Sequence, residues 1–191
     1  MIARLNRKTI RKFNRAKEKM RLAKFDELNV LKTVRGLYEE LDNENRTALL
    51  ALAQAVYAET EPHGEDEPDR KWLLALLSAP DPVTGYAYTN EVGRKRDYLA
   101  EALMASAGRD AQMRKAMSHW VRMSAQYADI VTGEAVLQAY RDAGVERVRW
   151  KTQPDERVCA VCGKRHKRIY SINRIPPRPH WGCRCWWEPV L

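Results

Sequence analysis

Residues 155–185 read DERVCAVCGKRHKRIYSINRIPPRPHWGCRC and hold all four cysteines of the chain. They fall as Cys159-x-x-Cys162 and Cys183-x-Cys185, with His180 just ahead of the second pair. A thiolate pair in a tight turn can grip one side of a metal ion, and a second cluster further on can close the other side. Side chains at i and i+2 of an extended strand share a face, so Cys183 and Cys185 can both reach one ion. Counting His180, the candidate donors are Cys159, Cys162, His180, Cys183 and Cys185, more than the tetrahedral positions available. The first reading is an all-thiolate set, with His180 either replacing Cys183 or serving as an outer partner. The cofactor expected is a structural Zn2+.

Disulfides are the competing use of these cysteines. They need an oxidising compartment, yet Met1 is followed by a polar, basic stretch rather than the apolar core of a secretory leader. Arg157, Lys164 and Arg165 beside the first pair would favour a redox thiolate, but the strand and helix pattern of a thioredoxin-like site is missing. Nucleobase deaminases require H-x-E ahead of P-C-x-x-C, and zinc proteases require H-E-x-x-H; neither occurs. With its donors in one closed cluster, the site reads as structural, and no enzyme activity is expected.

At 191 residues the chain can form an ordinary domain plus a small satellite. A hydrophobic content of 45% supports a folded protein, while 31% charged residues point to long exposed helices. No apolar run approaches the ~18 residues of a membrane span, so no membrane partner is expected. Charge is uneven: residues 1–24 carry +9, residues 25–144 carry −7 and residues 145–191 carry +7. Basic ends suit a polyanion or an acidic protein face, and a solvated helix face is the plainer alternative for the N-terminus.

Residues 1–24 space Ile2, Leu5, Ile10, Phe13, Ala16 and Met20 as one stripe of a basic amphipathic helix, which Asp26 and Asn29 are expected either to break or to follow by capping the next helix. Residues 25–133 read as a helical domain. Within it, two helical stretches flank a polar hinge at residues 42–45, and the acidic segment 59–69 reads as a solvated loop. A helix over residues 70–78 and a turn-rich connector over 82–90 follow, with Thr89 or Asn90 capping the next helix. Two further helices are expected, the second ended by Gly133, with its Met and aromatic stripe in the core and His119 packed or at the surface. Residues 134–191 form the C-terminal module: a short helix to Ala143, a strand over 145–152, and two more short strands after Cys162 and Cys185. The fold class expected is mainly α, an extended helical N-terminal region with a small C-terminal α+β zinc-binding module. Metal matters to a module of this size, because so small a core barely suffices alone.

Around the cysteines the order of residues is specific. Trp150 and Thr152 precede Asp155, Arg157, Val158, Cys159 and Cys162, and Pro176, Pro177, Pro179, His180, Cys183, Arg184 and Cys185 close the segment. This order resembles the C-terminal domain of the Mu F-like phage minor head (head morphogenesis) proteins, although Trp181 and Gly182 stand where that family usually has a proline. The resemblance covers roughly residues 135–185. It implies a minor capsid protein of the virion, located inside the head or at its vertex, and in the host cytoplasm during assembly. Portal protein, major capsid protein and packaged double-stranded DNA, touched through non-specific phosphate contacts, are the partners it implies, and an oligomer within the virion is compatible with it. A zinc-stabilised HNH-type nuclease is the alternative, with His180 or His166 as general base and a second metal at the phosphodiester. A DNA-binding zinc protein is a further one, against which stands the lack of a base-reading finger helix.

Overall fold

The computed structural model describes residues 2–62, 64, 70–80, 85, 87–105, 108–153 and 155–190. The chain is mainly helical, with 69% helix and 9% strand. Two compact units make it up, residues 1–48 with 88–125, and residues 49–87 with 126–191. No helix is long and apolar enough to cross a membrane.

In the first unit α1 (Ile2–Leu22) buries Phe13, Ala16 and Met20 as the spacing requires. Thr9 and Lys12 share that buried face, whereas Ile10 is turned outward. Lys12 is kept inside by ion pairs to Glu40 at 3.1 Å and Glu44 at 2.8 Å, so the stripe finds its partner within this chain. The helix ends in a Schellman motif: Phe25 N–H donates to the Met20 carbonyl and Lys24 N–H to that of Arg21, with both Lys24 and Phe25 at positive φ. Asp26 then caps the next helix by accepting from Asn29 N–H at 3.1 Å.

That helix, α2 (Glu27–Glu59), is continuous, so the hinge expected at residues 42–45 is absent. Arg46 clasps Asp42 one turn back at 2.9 Å, and Asn45 is buried, its amide donating to the Tyr88 hydroxyl at 3.1 Å. Polar residues that would open a hinge in water are here paired within the fold. Of the acidic segment 59–69, residues 63 and 65–69 lie outside the described residues. The helix expected next is α3 (Arg70–Ser78). Residues 81–84 and 86 of the connector likewise lie outside the description, but Thr89 and Asn90 are not caps, because α4 (Tyr88–Met104) already begins at Tyr88.

Gly108, at φ 86°, separates α4 from α5 (Arg109–Asp142). Tyr38 and Trp120 meet edge to face at 5.6 Å between α2 and α5. Gly133 does not end α5, and the short helix expected after it is simply the continuation of this one. The true stop is Gly144 at φ 74°. Gly144 N–H donates to Arg141 O and Val145 N–H to Tyr140 O, a second Schellman motif.

The C-terminal part of the second unit is a three-stranded antiparallel sheet, β1 (Arg147–Lys151), β2 (Ile169–Ser171) and β3 (Trp186–Val190), in the order β2-β1-β3. Between β1 and β2 sits a short helix, α6 (Ala160–Arg165), where only a tight turn was expected. The inner face packs Val148, Trp150 and Trp187 with Leu137, Tyr140 and Ile172 around Cys162, Cys183 and Cys185. Trp150 and Trp187 meet edge to face at 5.9 Å, while Trp186 lies on the other face and stays exposed.

Candidate metal centre

Cys159 is the N-cap of α6. Its Sγ accepts the backbone N–H of Cys162 at 3.3 Å, and its carbonyl accepts that of Gly163. The cap brings Cys162 back over Cys159 and aims its thiol into the core, where the residue is buried. Trp181 and Gly182, the latter at φ 66°, turn the chain so that His180 and Cys183 approach the same point.

The predicted donors converge as two triads that share Cys162: Cys159, Cys162 and His180, and Cys162, Cys183 and Cys185. His180 Nε2 lies 3.2 Å from Cys159 Sγ and 3.8 Å from Cys162 Sγ, and the Sγ atoms of Cys162 and Cys183 are 3.6 Å apart. Zinc–ligand bonds of about 2.3 Å to sulfur and 2.0–2.1 Å to nitrogen, set tetrahedrally, give donor–donor edges of about 3.5–3.8 Å. The observed separations straddle those edges. The cluster could therefore hold a metal ion, and all four cysteines are free thiols rather than disulfides.

His180 is oriented for ligation. Its Nδ1 lies 2.8 Å from the Trp181 carbonyl, which can only accept, so Nδ1 carries the proton and Nε2 presents its lone pair to the cysteines. The same bond raises the His180 pKa. The backbone N–H of Cys162 draws the Cys159 thiol down to about 7. Burial pushes the thiols of Cys162 and Cys183 up. Left alone, these buried thiols stay protonated; a cation among them reverses the balance.

A second layer of residues locks the two halves together. Asp155, ahead of the first pair, takes a two-pronged hydrogen bond from Arg184, between the last two cysteines, with both contacts at 2.6 Å. The guanidinium holds the Asp155 carboxyl below its usual range. Arg165 donates to the Pro177 carbonyl at 2.7 Å and covers the Trp150 ring, while Arg178 lies over Trp187 and donates to the carbonyls of Asp129 and Cys185. His166 is not among the donors; its Nδ1 accepts from Thr152 N–H at 3.2 Å. His119 is half-buried on α5, and burial lowers its pKa.

No protein-family model, curated protein or solved structure matches this chain. Function must therefore be argued from the residues themselves.

Sequence reasoning found the residues that converge but missed what supports them. Gly133 is the clearest omission: a Cβ there would sit 2.9 Å from Arg178 Nη2 and 3.0 Å from the Trp187 ring, so glycine lets Arg178 lie against α5. A glycine inside an otherwise regular helix was the available signal. A cleft of about 390 Å³ opens beside the donors, lined by Glu134, Ile175, Trp181, His180 and Cys183, and burial raises the Glu134 pKa.

Proposed function

We propose that this chain is a structural component of a phage head, a minor head protein acting in head morphogenesis, and that its Cys–His cluster holds one structural Zn2+. The choice of zinc rests on thiolate and imidazole groups gathered as two triads that share Cys162, a donor set that favours it over oxygen-seeking cations. The observation that carries the functional reading is the Asp155–Arg184 pair. The residues that carry the family resemblance are joined to one another and to the metal cluster as framework, and His166, a base candidate for a nuclease, is occupied by a backbone amide. Such a module suits protein contacts within an assembly, with portal protein, major capsid protein and packaged DNA as neighbours.

The test is assembly in cells producing particles that contain this chain. Cys159→Ser should give protein that is absent from purified heads, or heads that fail to form, with the loss reversed by wild-type protein. Normal heads carrying the variant would overturn the reading. So would divalent-metal-dependent cleavage of DNA by the purified protein that is lost in His166→Ala.

A further inference from the structure

The solvent face of the sheet carries groups that the metal cluster does not use. Along β1, Val148 and Trp150 are fully buried, so alternation sends Arg147, Arg149 and Lys151 to the opposite face. The register sets Arg149 between Ile169 of β2 and Glu188 of β3, and Lys151 beside Trp186. Ile169 and Trp186 are 46% and 40% exposed, so an aliphatic chain and an indole stand open on either side of a row of cations. Lys151 is compensated by Glu188 at 3.0 Å; among the described residues, Arg147 and Arg149 have no ion-pair partner. At one end of the row, Arg147 and Ser171 border a hollow of about 580 Å³ that Arg141, Glu146 and Asn173 also line.

We propose that this face binds single-stranded nucleic acid, with phosphates at Arg147 and Arg149 and an unpaired base stacked on Trp186. Outward positions on a strand repeat every ~6.8 Å, a step comparable to that between neighbouring phosphates of an extended strand. Cations that follow the backbone beside an aromatic platform are the working parts of sequence-tolerant single-strand binding. A duplex hides its base faces and leaves the indole nothing to stack on, and an acidic protein would answer only the arginines. The inference rests on the sheet alone and is independent of the head-assembly reading.

Zinc-loaded full-length protein, a labelled oligothymidylate and a duplex of equal length, followed by fluorescence anisotropy across a salt series, provide the test. Arg147→Gln/Arg149→Gln should lower the slope of log affinity against log salt by about 1.4 for the single strand, the share of two phosphate contacts. Trp186→Ala should weaken single-strand binding roughly fivefold or more while leaving duplex binding unchanged, and Trp186→Phe should restore most of the loss. Unchanged zinc content and circular dichroism establish that each variant is folded, and the arginine pair tests the surface by itself if Trp186→Ala does not fold. Wild-type affinity and slope in the arginine variant overturn the proposal and return any binding to the basic face of α1. A Trp186→Ala loss equally large for duplex also overturns it.

Discussion

His180 can serve a metal only through Nε2, because the Trp181 carbonyl holds the proton on Nδ1. The thiols around it differ in what they need. Cys159, already drawn down to about 7, ionises near neutrality, whereas burial keeps Cys162 and Cys183 protonated there. Metal binding near neutral pH should therefore release more than one proton per ion, and affinity should rise with pH as protons compete less for the thiolates. Calorimetric titration with Zn2+ in buffers of different ionisation enthalpy measures this directly; a proton-neutral reaction would contradict the ligand set. The basic neighbours of the first pair pointed to a lowered thiol there, but the cause, a backbone N–H aimed at the Cys159 sulfur, and the raised thiols of Cys162 and Cys183 are properties of the folded cap and of burial.

At the scale of the element, α5 shows how local signals mislead. Gly133 and Gly144 look alike in sequence, yet only Gly144 adopts the positive φ that stops a helix. Gly133 is there for room. Gly133→Ala should destabilise the protein by about 1–2 kcal/mol. The rigid Trp187 ring cannot retreat from the new Cβ, and overpacking of this kind costs more than the ~1 kcal/mol that alanine gains in helix propensity. Urea denaturation should show the shift, and an unchanged or higher midpoint would mean that Arg178 and Trp187 repack freely. The polar run in α2 misleads in the opposite direction, since Asn45 favours a turn until the Tyr88 hydroxyl is there to receive it.

For the whole molecule, the +9 charge and the crowding of every cysteine into one segment set the terms. Chelation at neutral pH should abolish the strand signal of the C-terminal sheet. The inner face of that sheet packs on Cys162, Cys183 and Cys185, and structural zinc contributes on the order of 10–16 kcal/mol of apparent binding free energy in small modules. Far-UV circular dichroism with elemental analysis should show about one zinc lost together with the sheet. Most helical signal should remain, since the ties of Lys12 to Glu40 and of Tyr38 to Trp120 involve none of the donors. Retention of the sheet in metal-free protein would assign its stability to the tryptophan core alone.

The sequence by itself determined the mainly helical class, the strands of the C-terminal sheet and the five cysteine and histidine residues that cluster there. Each is written in short-range periodicity or spacing, which local backbone geometry converts directly into shared faces. Only the tertiary structure decided that α2 and α5 run unbroken, that Lys12 is an interior residue, and that Cys162 is the donor common to both triads. Those outcomes depend on partners far apart in the chain: Tyr88 for Asn45, Glu40 and Glu44 for Lys12, Arg178 for Gly133, Arg184 for Asp155. A polar or small residue has no fixed preference until such a partner satisfies its hydrogen bonds or fills the space beside it, and spacing along the chain does not encode that meeting.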